Sequence, residues 1–193
     1  MSFPDRWHKR WIFNVFLVLL SAGCASVTVP PPAPEGFVVR GKLAVVEGEQ
    51  SVSARFIWRQ TGSAFSIDLW GPFGQGQMRL EGDGRELILR DAAGAVLTRG
   101  TSDEVMRAQL GWTLPLDVLP EWVQGRPHPG LPSTDRATDA HGRLASFRQL
   151  DWTVALGRYG QPKKVSAGRE MPYQVSARRG IYRVRLAISD WQI

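Results

Sequence analysis

Few side chains in this 193-residue sequence are placed to do chemistry, and the most conspicuous is a lone cysteine, Cys24. It has no partner for an intramolecular disulfide, so its thiol is either idle or modified. It follows three small residues, Ser21, Ala22 and Gly23, which end a mostly apolar run from Trp11 to Leu20. Other reactive candidates are sparse. His128 and His141, the histidines beyond the first 23 residues, stand in Pro- or Gly-containing stretches with no paired metal-ligand spacing, and they read as surface residues. Asp83 with Glu81 or Glu86 could pair as acid and base, but Gly82-Asp83-Gly84 reads as a hairpin turn. No nucleophile elbow, zinc-protease helix or phosphate loop is present. Gly71, Gly74 and Gly76 follow a meander strand and are turn glycines. No catalytic residue, metal ligand or nucleotide site is expected.

The residues around Cys24 give it a use. Arg6, Lys9 and Arg10 form a positive leader, and the ten residues Trp11–Leu20 are too few to span a bilayer but suit the apolar centre of a secretory signal. Small residues directly before a cysteine resemble the bacterial lipobox, where cleavage frees the Cys for an S-diacylglycerol thioether and an N-acyl chain. Residues 1–23 are then a signal peptide. Residues 24–36 hold the lipidated Cys24 and a tether rich in proline (Pro30, Pro31, Pro32, Pro34). In polyproline geometry such a tether reaches about 35 Å.

The charge argument shifts accordingly. The whole chain carries 24 Lys and Arg against 18 Asp and Glu, net +6. Removal of 1–23 takes away three cations and Asp5 and leaves +4. The cations are dispersed and form no basic stripe with a nucleic-acid motif, so no nucleic-acid partner is expected. Anionic headgroups or an acidic partner suit this charge better. The densest run, Arg178, Arg179, Arg183 and Arg185, reads as one solvated face.

From Phe37 to Ile193 the chain reads as one domain, 43% of the whole sequence being hydrophobic. Its dominant period is two, the signature of half-buried strands. Val52, Ala54, Phe56 and Trp58 alternate with Ser51, Ser53, Arg55 and Arg59. Further strands are expected at 37–46, 65–69, 77–80, 87–90, 95–99, 144–150, 152–159, 173–178 and 181–189. Thr101-Ser102-Asp103-Glu104 is a capping box that starts a helix to about Leu110, and a second short helix is expected over Leu116–Gln124, with 127–133 as loop. The class is mainly β: an incomplete, half-open antiparallel barrel of about eleven strands with a short helical insertion as lid or plug.

Such a barrel can hold an apolar ligand. Phe56, Trp58, Leu69, Met78, Leu80, Trp122 and Trp152 would line the cavity. The turn Gly71-Pro72-Phe73-Gly74 offers Phe73 for insertion into lipid, a contact of roughly 2 kcal/mol. The alternative is a structural or assembly lipoprotein with a solid core that binds a protein partner.

Arg40-Gly41-Lys42-Leu43, the run from Ala54 to Gly62, Gly71-Pro72-Phe73-Gly74-Gln75-Gly76, Leu110-Gly111-Trp112, Leu114-Pro115-Leu116, Trp122-Val123-Gln124-Gly125 and the C-terminal strand to Trp191 together resemble the LolB family of outer-membrane lipoprotein receptors. The resemblance implies a lid over an apolar cavity. It implies acceptance of a lipoprotein's acyl chains from the periplasmic carrier LolA, and their insertion into the inner leaflet of the outer membrane. It also implies a lipid-anchored protein facing the periplasm, acting as a monomer, and a membrane-insertion role for the protruding loop at Pro72, Phe73 and Gly74. Phe73 stands where a Leu is common. Ala25 differs from the Asp that signals inner-membrane retention.

Overall fold

A computed structural model describes residues 36–71, 76–111, 113–162 and 168–193. The chain divides into two units, 1–33 and 34–193, and all described residues belong to the second. Its strands are β1 (Gly36–Glu47), β2 (Gln50–Thr61), β3 (Ala64–Trp70), β4 (Met78–Gly82), β5 (Leu87–Arg90), β6 (Val96–Gly100), β7 (Thr134–Thr138), β8 (Leu144–Gln149), β9 (Trp152–Gly160), β10 (Met171–Arg179) and β11 (Tyr182–Gln192). Between β6 and β7 lie helices α1 (Ser102–Leu110) and α2 (Leu119–Val123).

The strands form one antiparallel sheet in the order β6-β5-β4-β3-β2-β1-β11-β10-β9-β8-β7. Two meanders, β1 to β6 and β7 to β11, are joined where β1 pairs with β11. The edge strands β6 and β7 do not pair, so the barrel is incomplete. The β1–β11 seam contains a register shift between Arg40 and Gly41. There the backbones approach so closely that a Cβ on Gly41 would lie 2.2 Å from the Ala187 carbonyl oxygen. Only glycine fits that position.

Period-two patterning places the faces as expected from Phe56 onward, whereas Val52, expected on the same face, is 71% exposed. In β2, Phe56, Trp58 and Gln60 are buried while Arg55 and Arg59 are exposed. The capping box also forms: the Glu104 amide donates to Thr101 Oγ1 at 3.3 Å, and the Thr101 amide donates to Glu104 Oε2 at 2.8 Å. Gly111 ends α1 in the left-handed conformation, φ 77°.

Three expectations need correction. Strand β7 lies where only loop and unassigned chain were expected. All five of its residues are exposed, so no burial alternates along it to signal a strand. Helix α2 is shorter than Leu116–Gln124, because Leu116–Val118 form a turn and Pro120 stands at its start. Arg179 does not share the solvated face of Arg178, Arg183 and Arg185. It is half-buried, its guanidinium lies 4.8 Å from the Trp152 ring centroid, and its Nη2 donates to the Thr113 carbonyl at 3.2 Å.

An open sheet exposes one whole apolar face unless something covers it. Here the helical insert does so. Val105, Met106, Leu114, Leu116, Val118, Leu119, Trp122 and Val123 join the inward side chains of the sheet in a single buried cluster.

The opposite face carries a compensated ion network. Asp68 on β3 is 3% exposed and lies between two arginines. Arg59 Nη1 donates to its Oδ2 and Arg79 Nε to its Oδ1, both at 2.6 Å. Burial alone would raise the Asp68 pKa. The bonds from Arg79 and Arg59 outweigh this and hold it below the ordinary carboxylate value. A lowered folded-state pKa contributes stability above the unfolded-state value, and that contribution is lost as pH falls through the folded value. We predict that Asp68→Asn destabilises the domain by about 1–2 kcal/mol at neutral pH, discounted for the solvent-exposed arginines. In urea melts the gap between variant and wild type should stay constant above about pH 5 and narrow below about pH 4.

Candidate functional site

Side chains directly opposite on paired strands share a face, so the sheet register shows which residues the fold brings together. Trp58 on β2 lies opposite Val39 on one side and Ile67 on the other. Ile67 lies opposite Leu80, and Leu80 opposite Leu89. The neighbouring row runs from Gly41 to Phe56, Leu69 and Met78. Five of the seven expected lining residues, Phe56, Trp58, Leu69, Met78 and Leu80, therefore fall in two adjacent rows of one apolar face.

Burial changes along these rows. Phe56 and Trp58 are core residues, and Leu69 and Leu80 are partly buried against them. Met78 is 38% exposed. The row Phe56–Leu69–Met78 thus runs from the interior toward solvent, and it emerges beside the segment that joins β3 to β4. Pro72, Phe73 and Gly74, in that segment, lie outside the described residues, as does Cys24.

The other two, Trp122 and Trp152, come from α2 and β9 and are fully buried. Their ring centroids are 6.5 Å apart, and Trp122 also meets Phe147 edge-on at 6.3 Å. Trp122 is pinned by a polar device. Its Nε1 donates to Gln149 Oε1 at 2.8 Å. The same oxygen accepts the His128 amide at 2.9 Å, and Gln149 Nε2 donates to the carbonyls of His128 and Leu131, each at 3.0 Å. One buried amide thereby attaches both α2 and the loop after it to the sheet. Gln149 and Arg179 were not among the expected site residues. Each lies two residues along its strand from a buried apolar side chain, Phe147 and Ala177, so strand alternation is the signal that places both inward.

The expected chemistry-bearing side chains fall into structural roles. Asp83 accepts the amides of Arg85 and Glu86. Glu81 pairs with Arg90 at 3.0 Å and Glu86 with Arg99 at 3.6 Å. His128 Nδ1 accepts the Gly130 amide at 3.2 Å. Among the described residues no group of three His, Cys, Asp or Glu could hold a metal. A cavity of about 820 Å³ has Phe56 in its wall but none of the other six expected lining residues.

Comparison with known proteins decides the kinship. Residues 35–191 match the family "Outer membrane lipoprotein LolB". The chain belongs to the LolB family. It is 31% identical over 200 residues to the outer-membrane lipoprotein LolB of Halorhodospira halophila, covering 96% of each chain. It is 35% identical over 163 residues to that of Bordetella petrii, covering 79% of this chain and 80% of the relative. A LolA superfamily protein from Nitrosomonas europaea shares the fold with a TM-score of 0.52 at 12% identity, covering 83% of this chain and 86% of that one. Membership makes this a non-enzymatic outer-membrane lipoprotein, anchored in that membrane, facing the periplasm and serving lipoprotein localisation as a receptor.

In this LolB family member the Gln149 device fixes the covering insert. Gln149→Leu should leave Trp122 Nε1 and the His128 amide without partners in the interior. We predict a loss of about 2–4 kcal/mol in stability, with faster hydrogen exchange at 122–131 than elsewhere. Exchange that rises uniformly over the sheet would contradict a local pinning role.

Proposed function

We propose that the domain takes the acyl chains of a lipoprotein from the periplasmic carrier LolA onto its apolar face and passes them to the inner leaflet of the outer membrane. The observation that carries this reading is the apolar row Phe56–Leu69–Met78, which leads from the buried core to exposed Met78 beside the row of Trp58, Ile67 and Leu80. Acyl chains that lie along Met78, Leu69, Leu80, Phe56 and Trp58 leave water one methylene at a time, each worth about 0.8 kcal/mol. To reach Trp152 they must displace the insert, whose own Trp122 now packs there. The insert thus competes with the cargo, and the energy of its re-closure helps release the chains.

The remaining parts follow the domain limits read from sequence. Residues 1–23 direct export and are removed. Cys24 carries the S-diacylglycerol and N-acyl groups, 24–36 form the tether, and 37–193 do the work as a monomer. Phe73, between Pro72 and Gly74, holds the mouth against the leaflet. No nucleotide-binding motif supplies energy, so transfer runs downhill into the bilayer.

Replacement of Phe73 by Glu removes a lipid contact of roughly 2 kcal/mol and adds a charge. Delivery from the carrier into liposomes should slow by at least about tenfold, with lipoprotein binding to the variant retained. Delivery at the wild-type rate would remove Phe73 from the insertion step. Met78→Asp should instead weaken displacement of a fluorescent fatty acid while leaving the melting temperature within a few degrees of wild type. A wild-type protein that binds no probe at all would favour a solid-core lipoprotein that docks a protein partner.

A further inference from the structure

Several arginines on the outward face of the sheet have carboxylate partners. Arg59 and Arg79 share Asp68, Arg90 meets Glu81, and Arg40 meets Asp190 at 2.8 Å. Lys42, Arg55 and Arg158 are exposed and have no ion-pair partner among the described residues; Arg178, Arg183 and Arg185 also lack one, so what sets the first three apart is the hollow they share. Lys42 and Arg55 stand directly opposite each other on β1 and β2, where like charges repel.

Lys42, Arg55 and Arg158, with Arg40, line the cavity of about 820 Å³, and among the described residues no carboxylate lines it. Two amphipathic aromatics, Trp70 and Tyr173, both half-buried, share the wall with the apolar Phe56, Ile57 and Ile188. Arg158 holds a left-handed backbone, φ 54°, a conformation that disfavours a long side chain. The fold therefore keeps a strained arginine and an unscreened Lys–Arg pair around one hollow. Cations beside Trp and Tyr rings are the combination that suits the headgroup level of a membrane, where phosphate meets the acyl boundary. A hollow of this size exceeds what one glycerophosphate needs.

We propose that this cavity is a headgroup site for an anionic phospholipid of the membrane that carries the anchor, with Lys42, Arg55 and Arg158 on the phosphate and Trp70 and Tyr173 against the glycerol and first methylenes. The site orients the anchored domain on the bilayer. It uses only the outer-membrane anchoring that family membership establishes, not acyl transfer, so it stands or falls separately from the proposed transfer function.

Native mass spectrometry of the mature lipidated protein, released from detergent micelles and titrated with phosphatidylglycerol, phosphatidylcholine or inorganic phosphate, tests it. One phosphatidylglycerol should be retained in preference to phosphatidylcholine. Lys42→Gln with Arg55→Gln should cut retention by about tenfold, as for losing two charge-assisted contacts of modest strength. Arg158→Asn, which keeps a residue tolerant of the left-handed backbone, should cut it as well. Arg178→Gln with Arg183→Gln removes the same charge from the same face and should change nothing. Circular dichroism melts confirm that each variant is folded. Unchanged retention in the Lys42/Arg55 double variant, or equal loss in the Arg178/Arg183 control, overturns the site. Displacement of phosphatidylglycerol by equimolar inorganic phosphate overturns its assignment to lipid.

Discussion

The structure depends on one constraint: a sheet that does not close must have its apolar face covered. Strands β6 and β7 leave the barrel open, and the inward side chains of the sheet would meet water if the chain between those strands were a plain loop. Instead it supplies Val105, Met106, Leu116, Leu119, Trp122 and Val123 to the same cluster. Fully burying a tryptophan such as Trp122 contributes on the order of 4–6 kcal/mol by area, a large share of the stability of a domain this size. The insert is therefore structural: its side chains complete the core.

Polar groups decide how firmly the cover sits. Gln149 anchors α2 and the following loop through four hydrogen bonds, the one to Trp122 Nε1 fully buried. Arg179 stacks on Trp152 and bonds to the backbone at Thr113, between the two helices of the insert. The cover is thus tied at a few points and otherwise held by non-directional contacts. The outer face is organised differently. Several of its charges are paired around Asp68 and Glu81, whereas Lys42, Arg55 and Arg158 line the hollow next to Trp70.

Much of this was legible in the sequence because two physical signals are strong. Period-two burial located Phe56 and Trp58 and the faces of most strands, and the Thr101–Glu104 box located α1. The open sheet and its helical insertion followed from counting short strands around one capped segment. Strand β7 was invisible since none of its side chains is buried. Pro120 and the turn before it shortened α2. Gln149 and Arg179 sit inward on alternation, but polar residues at inward positions read as solvent-facing until their distant partners at 113, 122 and 128 are known. Those contacts span many residues, and no local pattern encodes them. The resemblance to the LolB family, carried by motifs along almost the whole domain, was legible for the same reason as the fold: it rests on turns and core positions.

The central claim is that the insert yields to acyl cargo. The most direct measurement is the distance between spin labels at Asp117→Cys on the insert and Arg178→Cys on β10, in a chain whose only native thiol is Cys24. Electron–electron resonance before and after addition of a carrier loaded with triacylated lipoprotein should show the distribution move to longer distances, with return when liposomes accept the cargo. A distribution that stays fixed while lipoprotein is demonstrably bound would contradict the account.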